Sequence, residues 1–83
     1  MLSAPQQALI KALAHDYRLT YGNPMGEAVL ADLSRFCRAT ESTFHPDARI
    51  HAVLEGRREV WLRIRAYLDL DDETLLEKLG AIT

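Results

Sequence analysis

The sequence predicts an all-α fold, a small bundle of three main helices with a short fourth helix at the C-terminus. Apolar residues recur at helical spacing in four separate runs, and no run alternates with period two for long enough to make a strand. Cap signals also stand where helices should begin. The chain has 83 residues, enough for one domain and no second core, so residues 1–83 are read as a single helical unit. A chain of this size buries only about 60–65 % of the surface it exposes when unfolded, which makes partner subunits a common source of added stability.

The first helix is expected from Ala4 to about Leu19. Ser3 is the N-cap and Gln6, three residues on, completes a capping box, while Pro5 is tolerated in a first turn. Leu9, Ile10, Leu13 and Tyr17 form its apolar face. Asn23-Pro24 is the start signal of a second helix, expected to run to about Ala39 with Val29, Leu30, Leu33, Phe36 and Cys37 on one side. Residues 40–46 lose all periodicity, and Phe44 is expected to tuck into the core beneath them. Asp47 caps a third helix reaching about Leu68, the longest of the four. Asp71 caps the last, with Leu70 and Leu75 at hydrophobic-staple positions and Gly80 as its C-terminal stop.

The third helix carries the most information. Ile50, Leu54, Arg57, Trp61, Ile64 and Leu68 follow one another at steps of four and three, a single face on which only Arg57 is charged. A guanidinium at the centre of a core-facing seam has three outlets. It snorkels along Trp61 to solvent or a carboxylate, it pairs with Asp32 or Glu27 of the second helix, or it faces a partner. Gly56 beside it costs about 0.5–1 kcal/mol relative to alanine in mid-helix, a loss usually offset by close approach of another backbone. Helices two and three are therefore expected to pack antiparallel, with Gly26 and Gly56 as close-approach points. Val29, Leu33, Phe36, Leu54, Trp61 and Ile64 are the expected core.

Formal net charge is −2, which argues against wholesale polyanion binding. The charge is unevenly placed. Residues 49–65 hold five arginines against two glutamates, and residues 69–77 hold five acids and no base. That order suggests self-neutralisation, within one chain or between copies. The single cysteine, Cys37, reads as a buried thiol in a reducing compartment. No stretch approaches the ~18–20 apolar residues that span a bilayer, and the N-terminus has no basic export region, so the chain is expected to stay off membranes.

Two segments together resemble a known family. Asn23-Pro24-x-Gly26-x-x-Val29-Leu30-x-Asp32-Leu33, followed by Phe36-Cys37, is similar to its first signature, and Glu55-Gly56-Arg57-Arg58-x-Val60-x-Leu62-x-Ile64 to its second. The family is a small protein domain of tailed bacteriophages and prophages, first delineated from a Bordetella podovirus. The resemblance covers about residues 21–64, and Gly-Arg-Arg is its more specific part. Members occur among virion-assembly genes and carry no established activity. The resemblance therefore implies a phage or prophage product, placed in the host cytoplasm or the virion, that acts in virion structure or assembly.

The residues point to no catalytic site. His15, His45 and His51 lack metal-ligand spacing, Cys37 has no nucleophile signature, and there is no phosphate loop or calcium loop. No enzyme activity, metal or cofactor is expected. The expected partners are proteins, either further copies of the chain or other virion components. Nucleic-acid binding through the arginine-rich third helix is the alternative, and inhibition of a host protein a second. Gly56, Arg57, Arg58, Arg65 and Asp32 are the candidate interaction or architectural residues.

Overall fold

The computed structural model describes residues 2–82, with side chains through residue 80. Four helices occur in order, α1 Ala4–Tyr21, α2 Pro24–Phe36, α3 Ala48–Asp69 and α4 Asp72–Ile82, and no strand occurs among the described residues. Each helix starts where its cap is written. The Ser3 hydroxyl accepts from Gln6 N at 3.2 Å, while Gln6 Oε1 accepts from Ser3 N at 2.7 Å, a complete capping box. Asn23 Oδ1 accepts from Gly26 N at 2.9 Å, and its Nδ2 donates back to the carbonyls of Leu19 and Thr20, tying the end of α1 to the start of α2. Asp47 accepts from Arg49 N and Ile50 N at 2.8 and 3.2 Å. Asp71 accepts from Thr74 N at 2.8 Å.

The core lies between α1, α4 and the C-terminal half of α3. Ala14, Ala66, Tyr67 and Leu75 form it, with Ile10, Leu13, Tyr17, Leu70 and Leu79 packed around them. Two alanines at this crossing let the α1 and α3 backbones come close, and the Tyr17 and Tyr67 rings stack beside them, centroids 4.3 Å apart and nearly parallel. Helix α4 runs antiparallel to α1. Arg18 reaches Leu70 O and Asp72 at its start, and Leu2 packs at Gly80 near its end. Leu70 and Leu75 both join the core, as the staple positions require.

Several expectations are corrected. Val29 and Phe36 are not core: they are 50 % and 56 % exposed. Leu33 and Trp61 are half-buried, and only Leu54 and Ile64 of the expected six are buried. The reason is that α3 packs mainly on α1 rather than lying along α2. Phe44 does not tuck in; it is 73 % exposed, and Thr43 beside it is buried, hydrogen-bonded to Glu55. Gly80 does not end α4, which continues to Ile82.

Helix α2 stops at Phe36 rather than Ala39. Arg38 takes the left-handed conformation, φ 52°, while Ala39 N donates to Ser34 O and Arg38 N to Arg35 O. This is a Schellman stop with arginine where glycine is usual. Gly26 is a close-approach point, but toward α1: a Cβ there would stand 2.6 Å from the Tyr21 Cα and closer still to Thr20 O. Gly56 is not one within the chain, since a Cβ there would meet nothing within 4 Å.

The molecule is flat. Its Cα extents are 43 × 34 × 15 Å, and two helices packed at 8–10 Å would span about 13–15 Å between their outer backbones, so it is nowhere thicker than two helices. The Cα radius of gyration is 14.6 Å, against about 12 Å for a compact domain of this length. Its accessible surface is 5997 Å², roughly 1,000 Å² above the ~5,000 Å² typical of a compact monomer of this mass.

Candidate interaction surface

Among the described residues, six of the ten exposed large apolar side chains lie on one face of α2 or of α3. On α2, Met25, Val29 and Phe36 are spaced by four and seven, one helix face, and all three are exposed. On α3, Ile50 and Val53 stand seven and four residues before Arg57 and Val60 three after it, again one face and again exposed. Arg57 joins the two stripes. Its guanidinium carbon lies 4.3 Å from the Phe36 ring centroid, a cation–π contact that binds the end of α2 to the middle of α3.

Arg57 is half-buried and pairs with neither Asp32 nor Glu27. Asp32 sits on the same α2 face, between Val29 and Phe36, and its one ion pair is a loose 3.8 Å contact to Arg35 with both side chains about three-quarters exposed. In water such a pair is worth little. The apolar face thus has a cation at its centre and a carboxylate on its α2 side.

The other candidate residues have structural tasks. Arg58 donates to Arg38 O and Glu41 O at 3.1 and 3.0 Å, fastening the turn after α2 to α3. Those carbonyls belong to the turn that the left-handed Arg38 creates, so Arg58 supports the helix stop. Arg65 makes a two-pronged pair with Asp69 at 2.5 and 3.0 Å and lies over the Trp61 ring. Arg18 pairs with Asp72 at 3.3 Å. The acidic C-terminal segment is therefore neutralised at two points within the chain. Gly56 lines a groove of about 420 Å³ together with Val60, Leu62, Ala66, Lys78 and Leu79, so Val60 stands at the border between that groove and the α2–α3 face.

The stripes that the sequence predicts for the interior share Val29, Phe36, Ile50 and Arg57 with this exposed face, while Met25 and Val60 were not singled out for them. Sequence reasoning missed Tyr67, Ala66 and Leu75 as the core centre. The alanines carry almost no hydropathy signal, and Tyr67 lies well around the helix from the apolar stripe. The histidines form no shared site: His45 Nδ1 accepts from Asp47 N, and His51 Nδ1 lies 3.0 Å from Thr43 O. No group of three or more potential metal ligands converges among the described residues, and none of the described helices is long and apolar enough to cross a membrane. Cys37 is buried, as its position in the periodic run required.

No curated protein and no solved structure matches the chain. The family model for Bbp19-like phage proteins does, over residues 17–79, a span that takes in both signature segments, α2, α3 and most of α4. Matched over that much of its length, the chain belongs to the family of Bbp19-like phage proteins.

Proposed function

We propose that the protein is a virion-structure or assembly factor that acts through protein–protein contacts and has no catalytic role. The observation that carries this reading is the exposed two-helix face. Single exposed apolar side chains are ordinary, but a continuous set on two adjoining helices marks a contact surface. It holds an arginine against an aromatic ring, residue types that protein interfaces favour. Membership of a phage family supplies the setting.

The arginine-rich helix favours proteins over nucleic acid as partner. A phosphate backbone needs cations free to meet it. Arg58 is spent on two backbone carbonyls and Arg65 on Asp69. Arg57 and Arg63 each lie over a ring, Phe36 and Tyr67, and the formal net charge of the chain is −2, so α3 is not a stripe of unengaged cations.

The test is genetic and biochemical together. Deleting the gene from the phage or inducible prophage that carries it should lower the yield of complete particles, seen by electron microscopy. The chain should also be found in particles or bound to a named virion protein in infected cells. Normal particle numbers, with the chain absent from particles and bound to no virion protein, would overturn the proposal.

A further inference from the structure

We infer that the exposed α2–α3 face is the contact surface for a second copy of this chain, paired two-fold so that Arg57 of each protomer meets Asp32 of the other. This deepens the reading of the protein as one that works by protein contacts, and it names the first partner as the chain itself.

Three observations converge on that occupant. The first is area: the roughly 1,000 Å² of surface beyond a compact monomer's is close to the ~800 Å² per partner of a standard interface. The second is thickness. A flat plate no more than two helices deep gains a second buried layer when two such faces meet, and α2 and α3 with their symmetry mates then form a four-helix arrangement around Met25, Val29, Phe36, Ile50, Val53 and Val60.

The third is charge. A two-fold interface must be complementary to itself, because the same patch occurs on both sides. This face meets the condition, with one cation and one carboxylate on neighbouring helices that are not paired to each other. Asp32 is held only by its loose contact to Arg35. Arg57 donates to no carboxylate among the described residues and rests on Phe36 with one face of its guanidinium. Bringing two copies together satisfies both groups twice. It also gives the one cation on the exposed α3 face, Arg57, a carboxylate to meet.

The purified full chain tests this directly. Light scattering and sedimentation over a concentration series should show a dimer dissociating on dilution. Val53 is exposed in the protomer, so Val53→Glu should leave the helical circular dichroism unchanged while weakening the dimer at least about 100-fold, because a carboxylate would be buried without a partner.

The decisive arm mixes two variants. Arg57→Glu alone and Asp32→Arg alone should each be monomeric, since each places like charges against one another. Combined in equal amounts they should form a heterodimer, because Glu then meets Arg and Asp meets Arg across the interface. A chain that stays monomeric to several hundred micromolar, or a dimer indifferent to Val53→Glu, would overturn the inference. A mixture of the two charge variants that stays monomeric would overturn the Arg57–Asp32 register. A monomer would leave contacts with other virion proteins standing, so this result is separable from that of the deletion experiment.

Discussion

Two glycines in helices should respond in opposite directions to the same substitution. At Gly56, mid-way along α3, a Cβ would meet nothing within 4 Å, so alanine adds no clash. It removes the extra freedom of the unfolded chain and the poor helix propensity of glycine, together about 0.5–1 kcal/mol in favour of Gly56→Ala. For a domain of this size each kcal/mol moves the thermal midpoint by about 4–8 °C, so a rise of roughly 2–8 °C is expected. At Gly26 the same methyl group would run into the Thr20 carbonyl oxygen and the Tyr21 Cα. Both are backbone, so neither can rotate away. Relief requires α1 and α2 to separate, and Gly26→Ala should cost about 1–3 kcal/mol or more. Thermal melts followed by circular dichroism on dilute protein measure both. Destabilisation by Gly56→Ala would refute the reasoning, because it would mean that a backbone packs where the structure leaves a groove open.

Other perturbations test single features. Arg38→Gly relieves an L-residue of a left-handed conformation and puts the usual residue into a Schellman stop, so it should stabilise by up to about 1 kcal/mol in a denaturant melt; a loss would show that the Arg38 side chain matters more than its backbone. Asp71 titrates below the usual aspartate range, because first the Thr74 backbone N–H and then the Thr74 side chain bond its charged form. A depressed native value means a stabilising contribution that is full above the unfolded value and is lost as pH falls through the native one. Asp71→Asn keeps an oxygen to cap α4 but cannot titrate there, so its stability should fall less steeply on acidification; identical acid limbs would count against the cap. Cys37 is buried, so an aromatic disulfide reagent should modify native protein far more slowly than unfolded protein, and immediate reaction would contradict its placement.

How legible the fold was depends on the range of the interactions that fix each feature. Helix starts were readable because a cap joins residues two or three apart: Ser3 with Gln6, Asn23 with Gly26, Asp47 with Ile50, Asp71 with Thr74. Two helix ends were not. The end of α2 is held by Arg58, twenty residues from Arg38, and no glycine or proline announces it. Gly80 announces an end that does not occur; Leu2 packs against α4 at that point and the helix runs on. The apolar stripes of α2 and α3 were legible as faces. Periodicity says that a face is apolar but not which surface lies against it, so Val29 and Phe36 were read as core of the chain when α1 and α4 had taken the inner side of α3.

That misassignment has an energetic consequence that can be measured. Fully burying a large apolar side chain is worth about 1.5–3 kcal/mol, and the six on the α2–α3 face are about half exposed or more, so several kcal/mol of burial per chain remain unrealised in the protomer. A domain of this length has a total stability of only about 4–12 kcal/mol, so covering this face would change stability by a comparable amount. If a second copy covers it, unfolding and dissociation are coupled and the thermal midpoint must depend on concentration. Each tenfold increase shifts the equilibrium by about 1.4 kcal/mol per dimer. Divided by the unfolding entropy of two chains of this length, that gives a rise of about 4 °C. Val53→Glu should abolish the slope without abolishing the transition. A midpoint independent of concentration from a few micromolar to several hundred would mean that the protomer melts with its apolar face in water, and the stripe on α3 would then have to be read as the seat of a different partner.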